Sequence, residues 1–224
     1  MANAGKLIVI EGGDASGKET QTKLLAERLR EAGHTVHLLD FPQYDENQIG
    51  HLIRECLDGK RGDFMQTDPR VASVLYAADR FETKAKIEEW LAEGAIVLLD
   101  RYTSANMLHQ GAKIADAAER SATINWIYRL EHDLFGLPVP DLVVYLALPA
   151  AERARLRMAD HINDDRDIDV AEIDLIHQTA VDDRAPSILG AYQHMYTVDC
   201  LVDGVIRNQE EIADEIENQL RDIL

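Results

Sequence analysis

Apolar residues are distributed along the chain in two alternating rhythms. The run at residues 6–11 (KLIVIE) is nearly continuous and rich in β-branched side chains, and it ends in a glycine-rich turn. Residues 20–32 follow, with Leu25 and Leu29 four apart. The first rhythm predicts a strand and the second a helix. The alternation then repeats: Gly33 closes the helix, residues 35–40 (TVHLLD) read as a second strand, and Phe41-Pro42 breaks it. A helical stretch at 84–92 stops at Gly94 before a third strand at 95–100 (AIVLLD). A fourth strand at 141–148 (DLVVYLAL) follows Pro138 and Pro140, and a short fifth lies within 198–202. At the C-terminus Asn208 and Glu211 make a capping pair ahead of Ile212, Ile216 and Leu220, which recur every four residues. Strands that are apolar on both sides must be covered on both sides. The pattern therefore predicts an α/β fold, a parallel five-stranded sheet with helices on both faces.

Composition narrows the setting. The 224 residues suffice for one domain over 1–224, and 46% hydrophobic with 29% charged residues is the balance of a water-soluble protein. No apolar run approaches the ~18 residues of a membrane span. The opening Met-Ala-Asn-Ala-Gly-Lys lacks the regions of a secretory signal, so the expected location is cytoplasmic. Cys56 and Cys200 lack metal-site spacing and read as core thiols. A net charge of −18 argues against nucleic acid or an anionic membrane as partner, since both demand a positive surface. A polyanionic ligand must then be held by a few concentrated cations. No lysine follows Lys113, which leaves that work in the C-terminal half to arginines.

The glycine-rich turn carries the chemistry. Gly12-Gly13-Asp14-Ala15-Ser16-Gly17-Lys18 fits the GxxxxGK pattern of a phosphate-binding loop, and it stands where that loop must, between first strand and first helix. Its backbone N–H groups can converge on a phosphate, the helix N-terminus adds positive potential, and Lys18 reaches the β- and γ-phosphates of ATP. Gly12 through Thr20 are the candidate ATP-binding residues. Glu19 departs from the pattern, standing where a Ser or Thr usually meets Mg²⁺, with Thr20 one residue later. The expectation is that Glu19 points to solvent while other acids hold the metal.

Further segments resemble the thymidylate kinase family of P-loop nucleoside monophosphate kinases. Glu11-Gly12-Gly13-Asp14 is similar to that family's loop, Phe41-Pro42-Gln43-Tyr44 to its Phe-Pro segment, and Leu75-Tyr76-Ala77-Ala78-Asp79-Arg80 to its LFAADR segment. Asp100-Arg101-Tyr102 with Ser104, Gln110 and Gly111 resembles DRY…S…QG, and Leu137-Pro138-Val139-Pro140-Asp141-Leu142 resembles LPxPDL. They stand in family order along most of the chain. The resemblance implies a P-loop NTPase-type sheet with a mobile lid at about 153–172, a homodimer, and Mg²⁺-dependent transfer of phosphate from ATP to dTMP.

It also implies roles. Arg101 would bridge donor and acceptor phosphates, or make a surface ion pair. Asp14 would position the acceptor sugar and the metal. Asp100 would hold Mg²⁺ through water or cap a helix. Arg80 would bond the thymine ring, Tyr76 would stack on it or serve as a core aromatic, and Asn106 would contact the base. Phe41 and Tyr44 would border the acceptor pocket, with Gln110 alongside. His109 replaces an aromatic that crowds the sugar 2′ position; a hydrogen-bonding role and a surface role stay open. Ala15 sits where some members carry a loop arginine, which implies a catalytic lid arginine: Arg153, Arg157 or, first, Arg166. Asp169 and Glu172 belong to a DxxExD-like element, with Glu172 a candidate metal ligand. Ala147 replaces an acid often found after the fourth strand. A broader nucleoside monophosphate kinase and a binding module that has lost transfer are the alternatives, the latter motivated by Glu19 and Ala147.

Overall fold

The computed structural model describes residues 5–161, 175–221 and 223–224. Strands β1 (Lys6–Gly12), β2 (Val36–Asp40), β3 (Ile96–Asp100), β4 (Leu142–Ala147) and β5 (Met195–Asp199) form one parallel sheet in the order β2-β3-β1-β4-β5. The helices are α1 (Lys18–Glu31), α2 (Gln48–Leu57), α3 (Pro69–Ala92), α4 (Thr103–Ala112), α5 (Ala117–Tyr128), α6 (Ala150–His161), α7 (Leu175–Leu189) and α8 (Gln209–Leu220).

Pleating explains the continuous apolar runs. Leu7, Val9, Val97, Leu99, Val143 and Tyr145 face one core, which they share with Ile87, Met107, Ile127 and Ile188 of the helices. Their neighbours Ile8, Ile10, Ile96, Leu98, Val144 and Leu146 face the other, with Leu25, Leu29, Ile212 and Ile216. Each buried aliphatic side chain contributes about 1.5–3 kcal/mol, so covering both faces stabilises the sheet far more than covering one.

The structure differs from the sequence reading at helix α3 and at strand β5. Helix α3 runs the full length Pro69–Ala92, of which periodicity revealed only the end. Its buried residues include Ala72, Ser73, Asp79, Arg80 and Thr83, small or polar groups that make no apolar stripe. Its start is nonetheless well marked: the Asp68 carboxylate accepts the Arg70 and Val71 N–H groups, and Pro69 has no N–H to satisfy. Strand β5 begins at Met195, ahead of the predicted 198, and the chain then turns through a small antiparallel hairpin, Leu201–Val202 with Val205–Ile206. At α8, Asn208 accepts the Glu210 N–H as a cap, the half of the predicted Asn208–Glu211 pair that the described hydrogen bonds include. Both cysteines are buried and unbridged, as core thiols.

The topology fixes where a ligand can bind. Strand order reverses at β1, and the carboxyl ends of β1, β3 and β4 open into one crevice, the usual ligand position in such sheets.

Candidate active site

At the end of β1 the chain makes the predicted loop. Gly17 caps α1 in the left-handed conformation (φ 89°), and Lys18 is the helix's first residue. The buried Lys18 ammonium donates to the Gly13 carbonyl at 2.9 Å and lies 3.9 Å from Asp14 Oδ1. Burial lowers its pKa, with Arg101 adding to the effect and Asp14 and Asp100 opposing it. Glycine is required at position 13 because a Cβ there would stand 2.2 Å from Cζ of Arg153. That arginine is 1% exposed; it donates to both carboxylate oxygens of Asp182 at 2.9 Å, to Gln178 Oε1 at 3.0 Å and to the Leu148 carbonyl. Ser16 Oγ and Thr22 Oγ1 are buried with no partner among the described residues. Glu19 is exposed and pairs with Lys23 at 2.5 Å, and Thr20 is exposed as well. Neither projects into the loop's interior.

The end of β3 brings the second cation. Arg101 has a left-handed backbone (φ 64°), held by its N–H donating to Ile10 O at 3.1 Å, which turns its side chain back over the loop. Its Nη2 bonds Asp14 Oδ1, its Nη1 lies 3.0 Å from His109 Nε2, and Glu11 is 3.9 Å away. Burial would raise the Asp14 pKa, but Arg101 and Lys18 outweigh it and hold the carboxyl below the usual range. Asp100, beside them, is pushed up by burial despite Lys18 and Arg101. Glu11 is fully buried, accepts the Gly12 N–H at 3.0 Å and the Ser104 hydroxyl at 2.8 Å, and is likewise pushed up by burial. His109 is part-buried, not a surface histidine.

Beyond Arg101, helix α4 presents a polar stripe. Tyr102, Asn106 and Gln110 are four residues apart and share a face, and Tyr102 OH, Asn106 Oδ1 and Gln110 Oε1 are all buried without a partner among the described residues. The Asn106 amide is oriented by donation from Nδ2 to Glu131 Oε1 at 2.7 Å and to the Ser73 carbonyl at 3.2 Å, which leaves Oδ1 as a free acceptor. Arg80 donates from Nε and Nη2 to the two oxygens of Glu131, both at 2.6 Å, with side chains 2% and 0% exposed. Glu131 reaches this position from a π-helical turn, Arg129–Leu134, that continues α5. Phe41 packs on Tyr102 with ring centroids 5.8 Å apart, Tyr76 is half-buried with Phe64 at 6.0 Å, and Tyr44 lies under the guanidinium of Arg54 at 4.1 Å. Asp79 ties the Phe-Pro segment to α3 by accepting from Gln43 N at 3.2 Å and Asn47 Nδ2 at 2.9 Å. Gly50 permits the approach, since a Cβ there would lie 2.0 Å from the Gln43 carbonyl oxygen.

The structure thus gathers Asp14, Lys18, Asp100, Arg101 and His109 at one end of the crevice. Tyr102, Asn106, Gln110 and Arg80 line the other. The lid candidates separate: Arg153 is fixed beneath Gly13, Arg157 has a buried Nη1 with no partner among the described residues, and Arg166, Asp169 and Glu172 lie outside the described residues. Sequence reasoning missed Glu11, Glu131, Asp79, Asp182 and His177. For Glu131 one signal was available: a lone Arg80 in an apolar helix requires a buried counter-charge.

A thymidylate kinase family profile matches residues 10–196. The human thymidylate kinase is 35% identical over 154 residues, 69% of this chain and 66% of that protein. The enzyme of Mycobacterium tuberculosis is 35% identical over 67% of this chain and 71% of its own length. That of Clavibacter sepedonicus is 40% identical over 69% of each. A solved thymidylate kinase from Candida albicans superposes with a TM-score of 0.72 at 23% identity, covering 98% of this chain and 92% of that one, and so shares the fold.

Proposed function

Since the chain belongs to the thymidylate kinase family, we propose that Lys18, Arg101 and Asp14 carry in it the family's reaction, transfer of the γ-phosphoryl group of ATP to dTMP to give ADP and dTDP. The observation behind this is that two buried or half-buried cations from separate strand ends converge on the Asp14 carboxylate. Phosphoryl transfer demands mostly positioning and charge neutralisation, and an anionic phosphate can take the carboxylate's place between these cations. Lys18 and the loop N–H groups hold the β- and γ-phosphates. Arg101 spans the γ-phosphate and the acceptor phosphate. Asp14, released from Arg101, is free to orient the acceptor. The acceptor base lies along α4, where the unpaired Oδ1 of Asn106 suits a ring N–H such as that of thymine or uracil, and Arg80 and Glu131 form the wall behind it. With His109 Nε2 engaged by Arg101, the sugar check that this position carries in the family is weaker on chemistry alone than a large aromatic would give.

Residues fit for a divalent metal are present but few. Among the described residues no cluster of three or more His, Cys, Asp or Glu could hold one by itself. Asp14 and Asp100 nonetheless stand at the loop, and Mg²⁺ commonly takes one or two carboxylates with the rest of its shell from phosphates and water. These two would hold it, and it would neutralise charge on the β- and γ-phosphates. Val71, Val74 and Phe81, exposed on one face of α3, support a homodimer through that helix. Light scattering that finds only monomer at micromolar concentration would remove this part. No helix among the described residues is long and apolar enough to cross a membrane.

The deciding experiment incubates the protein with Mg·ATP and separately dTMP, dUMP, dCMP and UMP, following ADP and diphosphate. Turnover of dTMP well above the rest is expected. Binding without product would favour the module that has lost transfer, and equal use of all acceptors a broader kinase.

A further inference from the structure

His109 is not the end of the chain of contacts that begins at Arg101. Its Nδ1 lies 3.4 Å from Nε2 of His177 on α7, with ring centroids 5.7 Å apart and planes inclined by 27°. His177 is 8% exposed. The chemistry of the three side chains fixes the direction of the chain. A guanidinium only donates, so His109 Nε2 must accept at 3.0 Å and cannot carry a proton. A neutral His109 then carries its proton on Nδ1, and His177 Nε2 must accept it. The charges around His109 agree with this. Burial acts most strongly against a proton on His109, Arg101, His177 and Lys18 add to it, and Asp14 favours one.

We propose that His177 is a positioning residue for phosphoryl transfer: by accepting the Nδ1–H of His109 it fixes the tautomer that receives Arg101, and so orients the guanidinium from α7 without touching substrate. This rests on the reading of Arg101 as the bridging arginine. The arrangement matters most when Asp14 gives up Nη2 to a phosphate. The contact from Nη1 to His109 is then the one the protein itself retains, and a guanidinium displaced by about 1 Å loses on the order of 10²-fold in rate.

The test has a spectroscopic and a kinetic arm. Long-range ¹H–¹⁵N spectra of labelled wild-type protein at neutral pH should show His109 neutral and protonated on Nδ1; the Nε2–H tautomer or an imidazolium would overturn the proposal. His177→Leu should lower kcat about 10-fold with KM for ATP and dTMP unchanged within about 2-fold. His177→Gln, whose amide oxygen can accept the same N–H, should recover activity to within about 3-fold of wild type. Equal losses in both variants, or none in His177→Leu, would overturn it. Should His177→Leu fail to fold by circular dichroism, the tautomer in wild type and in His177→Gln decides. Arg101→Ala is run alongside. If it stays active, the reading of Arg101 is what fails; if it is inactive while His177→Leu is not, only the role of His177 falls.

Discussion

Two arginines on adjoining elements meet carboxylates in opposite ways. Arg101, 15% exposed, bonds Asp14, 24% exposed, at the mouth of the crevice. Arg80 and Glu131, 2% and 0% exposed, form a two-pronged pair sealed behind it, with Asn106 donating to the same carboxylate. Removing one partner of a fully buried pair costs about 3–5 kcal/mol, whereas a half-buried pair that water still reaches, such as Arg101 with Asp14, is screened and contributes less. The difference suits two tasks. On the roles proposed for them, a pair that opens for a phosphate has to be weak, and a pair that forms the wall of a base pocket has to persist. Solvent access sets the contrast, since the groups involved are chemically the same.

The comparison can be broken by exchanging the damage. Arg101→Ala should cut kcat at least about 10³-fold, some 4 kcal/mol of transition-state stabilisation, while the melting temperature stays within a few degrees of wild type. Glu131→Ala should do the reverse in kind. It strands a buried guanidinium, lowers stability by about 3–5 kcal/mol and the melting temperature by about 10 °C, as calorimetry would show. A stable Glu131→Ala beside an unfolding Arg101→Ala would overturn the distinction.

A finer contrast comes from pH. Burial, with Arg101 and His177 adding to it, holds His109 well below the ordinary histidine range, and burial lowers His132, beside the Arg80 pair, against the pull of the Leu137 carbonyl. In the unfolded chain both would take up a proton near pH ~6.5, which the folded form resists. Stability therefore falls as pH drops below that value, by up to about 1.4 kcal/mol per pH unit for each such histidine until its folded pKa is reached. His109→Gln should flatten this slope between about pH 6.5 and 5.5 in urea titrations. His132→Gln should flatten it less, and an unchanged slope in both would show that neither is kept neutral.

The sheet was legible because strand sequence reports burial directly. Runs such as LIVI and IVLL have one reading once covered on both faces, and the helices between them complete the parallel order. The loop was legible because its glycines, lysine and flanking elements are contiguous in sequence. Residues that act through distance were not. Glu131 meets Arg80 across 51 positions and only through a π-turn that hydropathy does not register. His177 meets His109 across 68, on a helix whose other buried residues, Gln178 apart, look like ordinary core. Arg153 reads as one of several cations in a charged stretch, yet its side chain is fixed beneath Gly13 by Asp182, which no local pattern singles out. Helix α3 shows the same limit from the other side: it buries Ser73, Asp79 and Arg80 in place of leucines, so the pocket it helps to build disguises the helix itself.

The left-handed backbone of Arg101 has a consequence for how this protein fails. A side chain in that conformation costs roughly 1–2 kcal/mol, which glycine would not incur. A gene encoding glycine at this position would lose the cation proposed to bridge the phosphates and the strain together. Its product would fold, escape the proteases that clear unstable variants, and accumulate as an abundant protein without turnover. A screen that judges variants by how much protein the cell retains would score this change as harmless.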